Sequence, residues 1–401
     1  MLAQIARRVL PYRVRHGLRQ IQATLQHREP ANNQVRNDAG RSGDQDLAPN
    51  VRAIWEETGL KWCMDHVSVA GGNIEIEGWA YVPPGDRDRV GFTWNDRSFE
   101  SVKYGLTRPD LAQKMPYVDG IGTAGFRCVS PLPAAGLPAG SHVAFRCVDR
   151  ETARDLIRPS HPYCYVVPAS NDVVPEMNRR VRVVGKHPES GFGIGAATVY
   201  NQLRRALTRT VGRDITHFEH VLDWGCGCGR VSRYFRPPGA LTGVDVDPDN
   251  VRWCQQYLDH GRYAPIPIYP PTSFPNGTFD FIFGISVMTH LREGTQALWL
   301  EELHRIARPG AIVMLTFHGA ASALLCLWPD FRKEWETLQR EQIFDMPDRA
   351  YDADLGEEGY YRSFFQTTEH IRRNWSKHFQ ILDLLPCYLF HQDMAVLRKV
   401  G

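Results

Sequence analysis

The sequence predicts an α/β domain with a mostly parallel sheet, preceded by a small all-β sandwich. Two observations predict the α/β domain. From residue 191 onward apolar strand-like runs alternate with helical periodicity, and the first of those runs enters a glycine-rich loop, "VLDWGCGCGR" at residues 221–230. A third predicts the sandwich: between residues 51 and 155, short runs of alternating apolar and polar residues are separated by turn residues. The 401 residues have room for two domains, and 43% hydrophobic with 11% aromatic content is enough to bury sizeable cores. A formal net charge of +2 offers no basic excess for a nucleic-acid partner. No run approaches the ~18 to 20 apolar residues of a membrane-spanning helix.

The elements follow in order. Residues 1–28 contain six arginines and no acid, with apolar residues at helical spacing on either side of Pro11. Such a basic amphipathic arm can lie on an anionic membrane surface; a solvated helix or a partner-docking arm is the plainer reading. It lacks the apolar core of a secretory signal. Residues 29–50, polar and rich in Asn, Asp and Gly, read as a disordered linker. In the sandwich, residues 51–155, Ile74, Ile76, Trp79 and Tyr81 alternate with polar or small residues. Val90, Phe92 and Trp94 form the next strand, "WNDRSF" is a hairpin, and Val102 and Tyr104 continue its second strand. "GFRCV" and "HVAFRCV" are two more strands. Residues 156–190 read as an irregular linker. The α/β domain, residues 191–401, begins with a helix, "GAATVYNQLRRALTRTV", and its strands follow at 221–223, 241–246, 279–285, 311–317, 380–385 and 393–398. Residues 230–235 are expected to open a helix after the glycine loop. "DPDN" offers Asp247 as a helix N-cap with a proline in the first turn.

In such sheets a ligand sits beyond the carboxyl ends of the strands, where the order reverses. Glycines at 225, 227 and 229 let backbone amides approach it, and the expected helix adds a positive end that suits a carboxylate or phosphate. Asp245, at the end of the next strand, can accept hydrogen bonds from ribose hydroxyls. A dinucleotide fingerprint, G-x-G-x-x-G, would need glycine at position 230, which is arginine. The pattern is D-x-G-x-G-x-G instead.

With these motifs the sequence resembles the class I S-adenosylmethionine-dependent methyltransferases, whose fold is Rossmann-like. "VLDWGCGCGR" and "LTGVDVDPDNVRWC" resemble the first two cofactor motifs, "FPNGTFDFIFGISVMTHL" the fourth strand and its loop, "LHRIARPGAIVMLTFHG" the fifth strand with its preceding helix, and "HQDMAVLRK" the terminal strand. The resemblance implies S-adenosyl-L-methionine as cofactor. It places Gly225, Cys226 and Gly227 against the methionine moiety, Asp223 on the loop and the amino group, Asp245 on the ribose, Val246 on the adenine, and Ile285 and Ser286 near the sulfonium. Relatives carry an acid before the fourth strand that contacts adenine. This chain has "PIPIYPPTSFPNG" there, leaving backbone or Tyr269 for that contact. Cys226 and Cys228 read as small packing residues rather than a reactive pair.

The front domain resembles β-rich accessory domains beside bacterial sugar-modifying enzymes, on "IEGWAY", "TRPDLAQKMP" and "GFRC". That resemblance implies a sugar, glycan or other small hydroxylated acceptor. Trp79, Tyr81 and Trp94 are either sugar-stacking platforms or core, with core the plainer reading. An alcohol acceptor needs a general base. His290 and His318 follow strands at the carboxyl edge and are the candidates, against a purely structural role bonding loop carbonyls. Tyr360, Tyr361 and Trp375 are expected near the acceptor or in the core. No carboxylate pair suggests a metal site. Nine cysteines fitting no metal template read as reduced thiols of a cytoplasmic protein, with the arm able to reach the inner membrane surface. Two other classes remain open: a glycan-binding or scaffold protein without turnover, and an NAD(P)-dependent oxidoreductase.

Overall fold

The computed structural model describes residues 51, 53–57, 61–157, 162–169, 172–184, 190–237, 239–327, 332–347 and 357–401. The basic arm 1–28 and the linker 29–50 lie outside the described residues. The front domain is built from β1 (Trp62–Ala70), β2 (Asn73–Ala80), β3 (Val90–Trp94), β4 (Arg97–Ser98), β5 (Ser101–Leu106), β6 (Gly125–Pro131), β7 (His142–Asp149) and β8 (Tyr163–Val166). They form two antiparallel four-stranded sheets, ordered β1-β2-β6-β5 and β4-β3-β7-β8. The period-2 alternation turns Ile74, Ile76, Phe92, Trp94, Phe126, Cys128, Val143, Phe145 and Cys147 into one core between the sheets. Asn95 and Asp96 turn the β3–β4 hairpin with φ of 45° and 63°, the left-handed pair that suits a tight hairpin.

Two expectations are corrected here, and one left open is decided in favour of its plainer reading. Val102 and Tyr104 do not continue the second strand of that hairpin, because β4 ends at Ser98 and β5 crosses to pair with β6 in the other sheet. The stretch read as irregular linker contains β8, which pairs with β7. Trp79 and Trp94 are 5% and 4% exposed and so offer no face to a sugar. Tyr81, half-buried, meets Trp55 edge-on at 4.7 Å.

The second domain contains β9 (His220–Trp224), β10 (Ala240–Asp245), β11 (Arg262–Pro265), β12 (Phe279–Gly284), β13 (Ala307–Phe317), β14 (Ile343–Pro347), β15 (Arg362–Gln366), β16 (Gln380–Leu389) and β17 (Gln392–Arg398). Seven of these form a sheet ordered β11-β10-β9-β12-β13-β17-β16, parallel except for β17. Its strands are apolar on both sides because helices cover both faces. Val221, Phe281, Phe283, Ile312 and Met314 pack under the helix Ser190–Val211. Leu222, Ile282, Val313 and Leu315 pack under the helices Glu293–Ile306 and Thr368–Trp375. The strand order reverses at β9, between β10 and β12, so the carboxyl end of β9 opens at the switch point.

The helix expected at residues 230–235 is absent. A single 3-10 turn, Ser232–Tyr234, stands there. Gly229, at φ 68°, leaves helical space on one side, and the "RPPG" that follows stops a helix on the other, since proline lacks an N–H and disfavours helical backbone before it.

The β14–β15 hairpin crosses the carboxyl edge of the main sheet, with the Gln366 N–H donating to the His318 carbonyl at 2.9 Å. Trp335 and Leu338 of the helix Arg332–Glu341 and Phe365 of β15 share one apolar cluster with Trp55, Trp79, Leu111 and Ile121 of the front domain. Among the described residues no helix is long and apolar enough to cross a membrane.

Candidate functional site

β9 delivers Asp223 and Trp224 to opposite faces of the sheet. Trp224 packs on Trp299 at 5.1 Å, and Asp223 takes the face of the helix Ser190–Val211. The chain then bends through Gly225 at φ 80° and Gly227 at φ 54°. The bend is pinned from β10: the amides of Gly225 and Cys226 both donate to the Val244 carbonyl, at 2.8 and 2.9 Å. A Cβ on Gly225 would collide with the Val287 side chain, so any other residue at position 225 is strained on two counts.

Asp245 touches the loop directly. Its Oδ2 accepts from the Gly227 amide at 2.7 Å and its Oδ1 from the Asp247 amide at 2.8 Å. A carboxylate has about four acceptor positions, so two remain for ribose hydroxyls. Burial pushes Asp245 up to about 6, against the pull of those two amides. Asp247 caps the helix Pro248–Tyr257, as expected, and also pairs with Arg182 at 2.5 Å. Val246 is half-buried beside it.

Asp223 is 3% exposed, and its Oδ2 has no hydrogen-bond partner. Burial pushes its pKa up to about 7, with Ser232 and the Arg230 charge pulling against it. A buried carboxylate oxygen left open at a glycine bend suits a cationic group such as an ammonium. Cys226 and Cys228 are buried, and the Cys228 thiol is pushed up to about 12 by burial, which makes them packing residues. None of the nine cysteines, each among the described residues, forms a disulfide.

Past β12, Ile285 packs against the apolar cluster of Val221 and Phe283, on the face of the sheet that Asp223 takes. Ser286 adopts φ 61°, its amide donates to Thr316 Oγ1 at 2.7 Å, and its hydroxyl bonds the Gln392 side chain. Val287 is the residue that lies on Gly225, and Val183 of the helix Met177–Val184 lies near Gly227. Neither carried a sequence signal, because both reach the loop from distant segments.

Past the carboxyl ends of β12 and β13 the two candidate bases meet, with ring centroids 6.3 Å apart. His290 closes the 3-10 turn Met288–His290, stacks on Tyr361 at 4.1 Å, and has Nδ1 2.9 Å from the Arg362 carbonyl. A carbonyl only accepts, so Nδ1 carries the proton and Nε2 the lone pair. His318 is 8% exposed and lies between Phe365 at 5.0 Å and His391 at 5.8 Å. His391, in the β16–β17 turn, had no periodic pattern to reveal it.

Two aromatic expectations are resolved. Tyr360 and Trp375 are core residues, the Tyr360 hydroxyl donating to the Ile268 carbonyl at 2.6 Å. The Tyr269 hydroxyl donates to Glu357 and its ring meets Tyr360 edge-on.

The strand order, the one antiparallel strand and the glycine loop after the central strand are those of the Rossmann-like class I methyltransferase fold. Residues 221–310 match the family model described as a methyltransferase domain. The chain is 30% identical over 150 residues to the malonyl-[acyl-carrier protein] O-methyltransferase of Enterobacter lignolyticus, covering 35% of this chain and 55% of that one. It is 29% identical over 154 residues to the enzyme of the same name from Salmonella typhimurium, covering 37% and 56%. The chain thus spans about half the length of the curated relatives it matches. Among solved structures, a 1,6-didemethyltoxoflavin-N1-methyltransferase from Burkholderia thailandensis with S-adenosylhomocysteine aligns at 16% identity and TM-score 0.36, over 50% of this chain and 78% of that one. A Methanosarcina mazei S-adenosylmethionine-dependent methyltransferase aligns at 16% identity and TM-score 0.34, over 46% and 93%.

Proposed function

We propose that this chain transfers the methyl group of S-adenosyl-L-methionine to an oxygen of a small hydroxylated acceptor, a sugar or glycan hydroxyl among them. The observation that carries the reading is the contact between the glycine bend and Asp245, with the open Asp223 oxygen beside it. The cradle fits the group: glycines at positive φ expose amides, one acid keeps acceptor positions for a ribose, and another awaits an ammonium. Bound S-adenosyl-L-methionine would supply an electrophilic methyl group on a sulfonium.

The chain's own residues supply position and a base. Asp245 holds the ribose, Val246 flanks the adenine, Asp223 holds the amino group, and the Gly225–Gly227 backbone supports the methionine chain. Fixed placement of two reactants is worth several kcal/mol of barrier, on the order of 7 to 11 at best. His290, with its lone pair on Nε2, takes the acceptor's proton as its oxygen attacks, and His318 stands next to it. The curated relatives are named as O-methyltransferases, which supports an oxygen acceptor. A carboxylate acceptor would need no base, and the histidine pair favours a hydroxyl instead.

Incubating the protein with methyl-labelled cofactor and a cell extract tests this. Label on a small hydroxylated compound, with S-adenosylhomocysteine formed in step, is the expected outcome. Cofactor binding with no product from any fraction would support a scaffold role instead. Hydride transfer with a nicotinamide cofactor would support the oxidoreductase.

A further inference from the structure

The glycine loop was expected to gain its positive charge from a helix beginning at residue 230. The single turn Ser232–Tyr234 gives that position no helix dipole. What stands there instead is Arg230. Its guanidinium is half-buried and packs against Gly195 of the helix Ser190–Val211, with Nη1 3.0 Å from where a Cβ at that glycine would lie. Among the described residues it forms no hydrogen bond or ion pair. Burial draws its pKa down from the ordinary arginine value, yet arginine keeps its proton. Asp223 lies within its electrostatic reach but does not pair with it, and the Oδ2 of Asp223 is without a partner. Buried opposite charges within reach of each other usually pair, since an uncompensated buried charge is costly. Two charges kept apart and unspent in one cradle suit a ligand that carries both signs, an ammonium and a carboxylate on one carbon.

We propose that Arg230 binds the carboxylate of the donor's amino-acid end, opposite Asp223 on the ammonium, so that the two form a clamp for a zwitterion. The proposal rests on the methyl-donor reading above. It gives a purpose to the arginine whose presence interrupts a dinucleotide fingerprint. Gly195 belongs to the clamp because a Cβ there would press on the guanidinium, with Nη1 3.0 Å away.

Two probes separate this role from a structural one: S-adenosylhomocysteine, and 5′-methylthioadenosine, which keeps the nucleoside and thioether but lacks the amino-acid end. Affinities are measured by calorimetry on the full chain and on Arg230→Met, Arg230→Lys and Gly195→Ala. Arg230→Met should weaken S-adenosylhomocysteine roughly 10- to 100-fold, the worth of a charge-assisted hydrogen bond, and leave 5′-methylthioadenosine unchanged. Arg230→Lys should recover part of the loss, and Gly195→Ala should show a milder form of the same selective loss. Binding of 5′-methylthioadenosine also reports that each variant is folded. Equal weakening of both probes, or of neither, would overturn the clamp while leaving the donor reading intact. Failure of the unmodified protein to bind either probe would overturn the donor reading and the clamp with it.

Discussion

On the proposed reading Asp223 and Asp245 hold the cofactor, and both are held by burial above the ordinary carboxylate range, at about 7 and about 6. An ammonium binds the ionised form of Asp223. Affinity for S-adenosylhomocysteine should therefore rise as pH passes from 6 to 8, and Asp223→Asn should bind weakly with a flat profile over that range. Asp393 gives a stability prediction of its own. It is 4% exposed, accepts from the Cys387 amide at 2.8 Å, and is pushed up to about 7 by burial. The folded state holds this proton after the unfolded chain has lost it near pH 4, so the folded state loses ground as pH rises from 4 to 7. Asp393→Asn should match the wild type below pH 4 and be more stable by about 2 to 4 kcal/mol above pH 7. Chemical denaturation at a series of pH values checks this; a constant difference across the series would refute it. His290→Asn should lower kcat by roughly 10²- to 10⁴-fold with cofactor affinity unchanged, the split expected of a base. The acids and glycines of the cradle were legible because backbone demands are written locally. Val287, Val183 and His391 were not, because each arrives from a remote segment.

At the scale of elements, the glycine bend works as a joint between β9, β10 and the segment after β12. Gly225→Ala would force an alanine into left-handed backbone and drive its Cβ into Val287. A loss of about 1 to 3 kcal/mol is expected from the backbone, with the collision added to it. Gly225→Ala with Val287→Ala should recover the collision part only, so thermal melts of the single and double variants separate the two costs. Asp247 and Pro248 announced their helix through a cap and a first-turn proline, and the structure has both. Residues 230–235 misled because a helix after the loop was carried over from the general pattern, while the local "RPPG" argued for a stop. β5 misled because alternation says that a strand exists and nothing about which of two sheets receives it.

For the whole molecule, the two domains share apolar cores. Ile194 and Phe390 of the second domain pack into the sandwich core, and Trp335 and Phe365 join Trp79 and Leu111. Scanning calorimetry should therefore show one cooperative transition, and two separated transitions would mean that these contacts carry little energy. The fold class was legible from strand and helix order, since only a few topologies accommodate that alternation. The docking of the domains was not, because buried aromatics such as Trp79 read the same whichever core receives them. The central claim is that the bend at Asp223–Gly229 and the acid at Asp245 cradle S-adenosyl-L-methionine. Calorimetric titration of the full chain with S-adenosylhomocysteine and, separately, with NADH tests it most directly. The account predicts one site for S-adenosylhomocysteine, weakened at least tenfold by Asp245→Asn, and no heat from NADH. Saturable NADH binding, or S-adenosylhomocysteine binding indifferent to Asp245, would contradict it.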